Sequence, residues 1–417
     1  MSDPFSILLA RATSLFFPSR PESIGVAVSG GSDSLALLFL LYKWSQQGGP
    51  PIHAVTVDHN LREESAGEAA YVKSICNELG VSHETLTWDG WRGSGNLPDA
   101  ARRARYALMA SWASENNIPK VALAHTINDQ AETFLMRLAR EAGVDGLAAM
   151  NSSWRQNGIE FCRPVLSISR TELRGYLNAL GRKWIDDPSN ADEAYERTKA
   201  RNALDALSHL GISARSLSNV AQHMSDVRGT LYWYTFLTAR DHAQIDRGDV
   251  IFPRKFFRTL QSDISRRLLQ QTLKWISGTE YAPRGRSIEF LREAIRGGTG
   301  MTLHGCELII TRDALRFTRE ANAVDGVRVP ATEIWDDRWV LEGPWPKGAE
   351  IAMLGENGLA DCPDWRDAGL PANSLKASPA VWREDQLIAA PLAGVGNGWS
   401  ARLLRDQDHY FAALLAH

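Results

Sequence analysis

The chain has 417 residues, enough for two or three domains, and its 44% hydrophobic and 23% charged residues are typical of an ordinary globular protein. A net charge of −3 at pH 7 argues against indiscriminate nucleic-acid binding. The longest apolar run, Leu35 to Tyr42, is too short to span a bilayer, and no signal peptide is visible. We therefore expect a cytoplasmic protein that does not bind a membrane.

The first βα unit of the sequence carries a glycine-rich turn. An amphipathic helix is predicted over residues 1–21 and a strand over Ile24 to Val28, with an apolar helix from Leu35. Between strand and helix lies Ser29-Gly30-Gly31-Ser32-Asp33-Ser34. Adjacent glycines let the backbone approach a ligand closely, and the N–H groups that open a helix attract anions. The turn predicts a site for phosphate or pyrophosphate.

Asp33 adds a carboxylate to this turn, which suits a phosphate site mainly if a divalent cation lies between the two. No lysine follows the glycines, so the turn is not a Walker A loop. The simpler alternative is a structural turn whose serines cap the helix. The pattern Ser-Gly-Gly-x-Asp-Ser resembles the pyrophosphate loop of enzymes that split ATP into AMP and pyrophosphate, a resemblance that implies ATP and Mg²⁺.

Strands and helices alternate along the next hundred residues. Further strands are predicted at Ile52–Val57, Ser82–Trp88 and Val121–Ala124, with helices at Glu68–Leu79 and Asp99–Asn116. This order predicts an α/β fold with a doubly wound parallel sheet, in which ligands bind at the carboxyl ends of the strands. Polar clusters follow two more of these strands, Asp58-His59-Asn60-Leu61-Arg62 and His125 to Glu132.

The cluster after the fourth strand places His125, Asp129 and Glu132 on one face of a helix that begins near Asn128. Two acids in a first turn can also simply match the helix dipole. We favour a functional site because three polar clusters share one sheet edge. A fifth strand is predicted at Arg163–Leu166 and a helix at Ser169–Leu180.

Together, these motifs resemble the set found in the tRNA(Ile)-lysidine synthetases. They are SGGSDS at Ser29, VDHNLR at Val57, ARRARY at Ala101, AHTINDQAET at Ala124 and DPSN at Asp187. The resemblance covers about the first two hundred residues strongly. One departure is Arg197-Thr198-Lys199, where the family often has Arg-Asn before a basic stretch, and it leaves the role of position 198 open.

The resemblance implies a two-step reaction with ATP, Mg²⁺, free L-lysine and a tRNA(Ile) with a CAU anticodon. The wobble cytosine is adenylated on the oxygen attached to its ring, and the lysine ε-amine then displaces AMP to give lysidine. The product pairs with adenine rather than guanine, so the codon read changes from AUG to AUA. The enzyme is then a ligase that forms a carbon–nitrogen bond.

The residue roles implied by the resemblance are hypotheses. Ser29 to Ser34 hold the pyrophosphate, with Asp33 on Mg²⁺, and Asp58, His59 and Arg62 shape the nucleotide pocket. Asp129 and Glu132 bind either Mg²⁺ or the amino groups of lysine, beside His125. Arg102 or Arg105 contacts a phosphate or the lysine carboxylate, and Arg197 contacts the target nucleotide.

The rest of the chain predicts two further modules. Helices are predicted at 212–243, 253–276 and 286–296, then a hairpin at 301–318 with turns at Gly305 and Asp313. Residues 251–320 carry 13 Lys and Arg against seven Asp and Glu, whereas residues 321–417 carry eight against 14. We expect a catalytic domain at 1–210, a helical, basic tRNA-binding domain at 211–320, and a small, mostly β domain at 321–417.

Three alternatives are set against this interpretation. A tRNA thiolase of the same ATP-splitting class needs paired cysteines, and the four cysteines here form no CxxC pair, zinc spacing or disulfide framework. A glutamine-dependent synthetase needs a glutaminase domain, which the chain does not encode. A non-catalytic RNA-binding protein with a vestigial ATP site has no use for Asp33, Asp129 and Glu132 together. The sequence leaves the oligomeric state open, a homodimer included, as well as the means of rejecting elongator methionine tRNA.

Overall fold

A computed structural model describes residues 4–60, 65–91, 96–186, 196–279, 281–283, 285–344 and 347–415. The chain forms two compact units, Met1–Arg228 (unit 1) and Gly229–His417 (unit 2). Among the described residues, no helix is long and apolar enough to cross a membrane.

The described part of unit 1 is built on a six-stranded sheet. Its strands are β1 Ile24–Ala27, β2 Ile52–Asp58, β3 Ser82–Thr87, β4 Lys120–Ala122, β5 Ser153–Gln156 and β6 Ile159–Cys162. Their order is β3-β2-β1-β4-β6-β5, and every neighbouring pair is parallel except the antiparallel β5–β6 hairpin. The predicted parallel sheet is confirmed.

Helices cover both faces of this sheet. They are α1 Pro4–Thr13, α2 Ser32–Gln46, α3 Ser65–Leu79, α4 Leu97–Glu115, α5 Ile127–Leu138, α6 Val144–Leu147, α7 Arg170–Ala179, α8 Glu196–Leu207 and α9 Ala214–His242, the last of which passes the boundary at residue 228. One core cluster joins α1, α2 and α7 to the sheet, and a second joins α4 to β4 and β6. Two apolar layers with a sheet between them are the doubly wound arrangement.

The apolar run in α2 explains the first core. Leu35, Leu37, Leu38, Leu40 and Leu41 are fully buried, because α2 packs against the sheet and against α1 and α7. The helix begins at Ser32, three residues earlier than predicted, which places Asp33 and Ser34 in its first turn. Strands β1 to β4 and the helices that follow them lie within a few residues of their predicted bounds.

The predicted fifth strand at Arg163–Leu166 is wrong. The strand is β6, Ile159–Cys162, and it is preceded by β5 in a hairpin that the sequence analysis did not anticipate. Residues 163–166 form a turn in which the Leu166 N–H donates to the Arg163 carbonyl at 3.2 Å. Pro164 has no N–H to contribute to a strand ladder, so the sheet ends before it.

The described residues of unit 2 contain an antiparallel sheet of order β7-β8-β11-β10-β9. Its strands are β7 Gln244–Asp246, β8 Asp249–Pro253, β9 Met301–Leu303, β10 Cys306–Ile310 and β11 Ala314–Arg319. The accompanying helices are α10 Arg254–Thr259, α11 Ser262–Ser277 and α12 Gly285–Gly297. The predicted hairpin is confirmed as β9 to β11, with turns at Gly305 and Asp313.

The last hundred residues form the mostly β region that the sequence predicts. Its elements are β12 Val329–Pro330, β13 Trp339–Glu342, β14 Glu350–Met353, α13 Gly355–Ala360, α14 Ala372–Lys376, β15 Pro379–Arg383, β16 Gln386–Ala389, β17 Ser400–Leu403 and α15 Gln407–Ala413. Buried tryptophans dominate this core: Trp335, Trp339, Trp382 and Trp399.

All four cysteines of the chain are buried and reduced, Cys76 and Cys162 in unit 1, and Cys306 and Cys362 in unit 2. Burial raises the pKa of Cys76 to about 11 and that of Cys162 and Cys306 to about 12.

Candidate functional site

A cavity of about 790 Å³ lies in unit 1, at the carboxyl ends of β1, β2 and β4. The three polar clusters predicted from the sequence meet there, because parallel neighbouring strands all end at the same edge. Five arginines are among the described lining residues: Arg105, Arg170, Arg174, Arg197 and Arg201. Five carboxylates from the described part of the chain line it as well: Asp33, Asp58, Glu68, Asp129 and Asp186.

The glycine-rich turn is held in shape by its own serines. The Ser29 N–H donates to Ser34 Oγ at 3.1 Å, and the Ser34 hydroxyl donates to the Gly31 carbonyl at 3.0 Å. The buried Ser34 hydroxyl thus bridges Ser29 and Gly31 and holds the two sides of the loop together. Ser29, Gly31 and Ser32 line the cavity together with Asp33 and Ser34. The turn therefore presents the start of α2 to the cavity, the arrangement that binds anions.

The two glycines of the turn have different structural roles. Gly30 has φ +86°, the left-handed region that favours glycine, and a Cβ there would lie 2.9 Å from Ile185 Cδ1. The Ile185 N–H also donates to the Gly30 carbonyl at 3.0 Å. Gly31 lines the cavity, and the nearest atom to a Cβ built on it is Ser29 Oγ at 3.7 Å. Gly30 shapes the loop, whereas Gly31 faces the space where a ligand fits.

A cluster of three carboxylates surrounds the Arg170 guanidinium. Arg170 Nε lies 3.0 Å from Asp33 Oδ2, and its Nη atoms lie 3.7 Å from Asp129 Oδ1 and 3.9 Å from Glu132 Oε1. Arg201 Nε pairs with the same Glu132 oxygen at 3.1 Å. The cluster joins α2, α5, α7 and α8, so the predicted acids do come together, around a cation that the sequence analysis missed.

Burial and charge set the protonation of these acids. Burial and the nearby Asp129 raise the pKa of Asp33 and of Glu132, although Arg170 opposes the rise at both. Burial also acts to raise the pKa of Asp129, but His125 (charged only at the low pH where Asp129 itself titrates), Arg170 and two hydrogen bonds from Thr126 outweigh it and hold the value below its usual range. Asp129 is therefore the most firmly ionised of the three.

Glu132 lies behind the cavity wall. Its side chain is 2% exposed, and it is absent from the cavity lining, where Asp33 and Asp129 are present. Its Oε2 atom is buried and has no hydrogen-bond partner in the described structure.

Helix α7 supplies two arginines that the sequence analysis did not select. Arg174 Nε donates to Ser32 Oγ at 3.2 Å, so Arg170 and Arg174 both reach the glycine-rich turn. A sequence signal for them exists: Ser169 and Glu172 form a capping box, which fixes the start of α7. Residues 170 and 174 then lie one turn apart on the same face.

His125 lies in the cavity wall between β4 and α5. Arg163 Nε donates to His125 Nδ1 at 3.0 Å. Burial and the adjacent Arg163 cation lower the pKa of His125 to about 3, so the imidazole is neutral at physiological pH.

The structure separates two arginines that the sequence left as alternatives. Arg105 lines the cavity and has a buried Nε without a hydrogen-bond partner in the described structure. Arg102 is exposed and is not among the lining residues. Arg197 also lines the cavity, from the first turn of α8, and the neighbouring Thr198 is buried.

The second polar cluster supplies Asp58 and His59 to the cavity. Asp58 Oδ1 accepts from the Asn60 N–H at 2.8 Å, which shapes the turn after β2. Burial and Arg105 lower the pKa of His59, whose ring is therefore neutral. Arg62 and the DPSN motif from Asp187 lie outside the described residues.

The carboxylates of the cavity fit a Mg²⁺ ion that is shared with the phosphates of a nucleotide. Mg²⁺ in nucleotide sites is held by one or two carboxylates together with phosphate oxygens. Asp33 and Asp129 both line the cavity beside the glycine-rich turn, so they suit this role. They do not fit a metal bound by protein side chains alone, because within the described ranges no three His, Cys, Asp or Glu side chains are placed to hold a metal ion together.

The chain is similar to known proteins along most of its length. A family model described as "PP-loop domain" matches residues 6–207. The chain is 49% identical over 402 residues to a tRNA(Ile)-lysidine synthase from Ruegeria pomeroyi, covering 96% of each chain. It is 33% identical over 382 residues to one from Wolbachia pipientis wMel, with 89% of this chain and 88% of the relative covered. A third, from a Bradyrhizobium species, is 35% identical over 342 residues, 76% of this chain and 95% of the relative.

Proposed function

Because this chain belongs to the tRNA(Ile)-lysidine synthases, we propose that it uses ATP to join free L-lysine to the wobble cytosine of a tRNA(Ile) with a CAU anticodon. The observation that carries the proposal is the cavity at the sheet edge, where an anion-binding turn, five arginines and the carboxylates of Asp33 and Asp129 meet. The chain is 49% identical to a tRNA(Ile)-lysidine synthase over 96% of its length, which supports this reaction.

The reaction runs in two balanced steps. The carbonyl oxygen on C2 of the cytosine attacks the α-phosphorus of ATP, the bond to the β,γ-phosphates breaks, and pyrophosphate leaves. The neutral ε-amine of lysine then attacks the ring carbon, the bond to the adenylated oxygen breaks, and AMP leaves. The amine loses a proton in this step, so a carboxylate near it is useful as an acceptor.

The glycine-rich turn and α7 hold the departing pyrophosphate in this proposal. The N–H groups at the start of α2, with Gly31, Ser29 and Ser32, bind its oxygens, and Ser34 keeps the loop closed. Arg170 and Arg174 add positive charge beside the turn. Fixed donors and cations aimed at a leaving group are the means by which such sites stabilise developing charge.

We propose Asp33 and Asp129 as the carboxylates that hold Mg²⁺. When bound, the ion neutralises phosphate charge as pyrophosphate departs. Glu132, behind the wall, instead fixes Arg170 and Arg201.

The arginines and the second polar cluster complete the assignment of roles. Arg105, rather than Arg102, contacts a phosphate or the lysine carboxylate, because Arg105 lines the cavity. Arg197 contacts the target nucleotide, and Asp58 and His59 shape the nucleotide pocket, since all three line the same cavity.

The remaining chain serves tRNA binding in this proposal. We assign 1–210 to the catalytic domain, 211–320 to the basic tRNA-binding domain, and 321–417 to a small C-terminal domain that also contacts the tRNA. Lys255 and Arg258 in α10 are exposed, as contacts to an RNA backbone require.

The test is incorporation of labelled lysine into tRNA(Ile) with ATP present, together with pyrophosphate release when each substrate is omitted in turn. We expect release with tRNA and ATP alone, and none with lysine and ATP alone. Release driven by lysine without tRNA would mean that the amino acid is activated instead, and the proposal would fall. A folded protein that binds tRNA but never releases pyrophosphate would point to a vestigial ATP site.

Single variants then assign the roles. Asp33→Ala should abolish pyrophosphate release while the protein stays folded, because its carboxylate faces the cavity. Arg197→Ala should lose release but still bind ATP. Arg105→Ala should reduce turnover strongly, and its matched control Arg102→Ala, one turn away on the exposed side of α4, should not.

A further inference from the structure

Two residues that follow neighbouring strands, His125 in the cavity wall and Arg163 behind it, contact each other. His125 comes three residues after β4, and Arg163 comes directly after β6, which pairs with β4 through Ala122 and Cys162. The Leu123 N–H donates to the Cys162 carbonyl at 2.8 Å, so the two strand ends remain in register as they leave the sheet. The topology thus delivers Arg163 Nε to 3.0 Å from His125 Nδ1.

Arg163 is held in one place. The residue is 5% exposed, and its guanidinium lies over the Trp154 ring at 4.0 Å from the centroid. Its Nη1 donates to the Asn151 carbonyl, and its backbone N–H donates to the Ser152 carbonyl at 2.7 Å. A buried arginine with these contacts has little freedom to turn away from the imidazole.

An arginine has only donors and does not lose its proton at physiological pH. Because Arg163 Nε donates to Nδ1, that nitrogen must be the unprotonated one, and the single proton of the neutral ring must lie on Nε2. We propose that Arg163 is a positioning residue that fixes His125 as the Nε2–H tautomer, which then donates a hydrogen bond to an oxygen of the substrate in the cavity. Only the identity of that oxygen, on the α-phosphate or the cytosine, rests on the proposed function.

The surrounding charges support this assignment. Arg163, Arg105 and Arg197 all disfavour a second proton on the ring, whereas Asp129 favours one. Burial lowers the pKa of Arg163 only to about 10, so the donor stays charged at neutral pH. His125 is therefore a fixed donor to the substrate, and it is not a base that exchanges protons with it.

The tautomer can be read directly by ¹⁵N NMR of ring-labelled histidine in the full-length protein, with the His125 signals identified by their loss in His125→Gln. We expect the wild type to show unprotonated Nδ1 and protonated Nε2. Arg163→Lys, which keeps a charged donor, should retain this tautomer, and Arg163→Met should give a mixture. Arg155→Met, an exposed arginine in the same hairpin, is the matched control and should change nothing. A wild-type ring protonated on Nδ1 overturns the proposal, whether or not the enzyme makes lysidine.

Two substitutions at His125 give a second test that does not require Arg163→Met to fold. The amide nitrogen of glutamine can replace Nε2, whereas that of asparagine replaces Nδ1. Loss of one fixed donor in an active site typically costs about 100- to 1,000-fold in turnover. We expect His125→Asn to lose about 100-fold in kcat for pyrophosphate release, His125→Gln to stay within about tenfold of wild type, and the KM for ATP to change little in either. Equal losses in both variants would contradict a donor at Nε2.

Discussion

The two units each contain a cluster in which arginine meets buried carboxylates, but the clusters differ in what surrounds them. In unit 1, Arg170 lies among three acids beside a cavity of about 790 Å³. In unit 2, Arg316 pairs with Asp249 at 2.7 Å and with Asp246 at 2.9 Å. Ser374 completes the second cluster, since its hydroxyl donates to Asp249 at 2.6 Å.

The difference lies in how completely the charges are satisfied. Asp249 accepts short bonds from two partners, and the adjoining void of about 10 Å³ has no room for a ligand. In unit 1, two of the three contacts to Arg170 are 3.7 and 3.9 Å, longer than hydrogen bonds. A closed cluster of this kind stabilises a fold, whereas a loosely paired one at a cavity wall can exchange partners with a ligand. Burial alone does not tell the two apart.

The largest effect is expected from breaking the closed cluster. Arg316→Met should lower the free energy of unfolding by about 3–5 kcal/mol, because Asp249 stays buried without its cation. Chemical denaturation measures this, and ATP affinity of the folded fraction should not change. Arg328→Met, which removes an exposed pair with Glu350, is the control and should cost less than about 1 kcal/mol. An equally small loss for Arg316→Met would show that the buried cluster stabilises the fold no more than an exposed ion pair does.

Breaking the loosely paired cluster should act on catalysis first. Arg170→Met should reduce pyrophosphate release about 100- to 1,000-fold, because a cation beside the departing phosphates is removed. Arg140→Met, an exposed arginine paired with Glu196, should have normal activity. Normal turnover by Arg170→Met would make Arg170 a structural residue like Arg316.

The same variant has a predictable pH dependence. Without Arg170, the folded-state pKa values of Asp33 and Glu132, already raised by burial, rise further above the unfolded values of about 4. Raised carboxyl pKa values favour the folded state below the unfolded pKa, and that advantage is lost as pH rises through the folded pKa. The stability gap to wild type should therefore be small near pH 4 and widen toward pH 8, as thermal unfolding across this range would show.

A smaller effect should separate the two glycines of the turn. Gly31→Ala meets no atom closer than 3.7 Å and keeps an ordinary φ of −72°, so folding should be normal. Its methyl group faces the cavity, and the KM for ATP should rise about tenfold, or about 1.4 kcal/mol. Gly30→Ala should instead destabilise the protein by roughly 1–2 kcal/mol, since alanine is strained at φ +86°. Identical effects at both positions would refute this division.

The smallest effect concerns the basic surface of unit 2. Replacing Lys255 and Arg258 by Gln should weaken tRNA binding and flatten its salt dependence, because each phosphate that a side chain neutralises contributes about 0.7–0.9 to the log–log slope. Arg254 is a poorer target, because its Nη1 donates to the Thr311 carbonyl at 3.3 Å. Arg383→Gln, exposed in β15, is the control. An unchanged slope would mean that these two residues are merely solvated.

The location of the site could be predicted from the sequence because it depends on the topology of the sheet. Alternating strands and helices predicted a parallel sheet, and a parallel sheet brings the residues after Ala27, Asp58 and Ala122 to one edge. Arg170 was missed because its bond to Asp33 joins residues 137 positions apart, and no local pattern encodes such a contact. Arg163 was assigned to a strand that ends one residue earlier, which hid its place beside His125.

The buried thiols have a consequence for how the molecule can be handled. With pKa values of about 11 to 12, Cys76, Cys162 and Cys306 are thiolates in no more than roughly one molecule in ten thousand at neutral pH. Cys362 is buried as well, and burial raises its pKa too. Maleimides and oxidants should therefore react very slowly with the cysteines of the folded protein. A single cysteine introduced at an exposed site such as Lys255 would then accept a crosslinker or spin label selectively, with no native thiol needing removal.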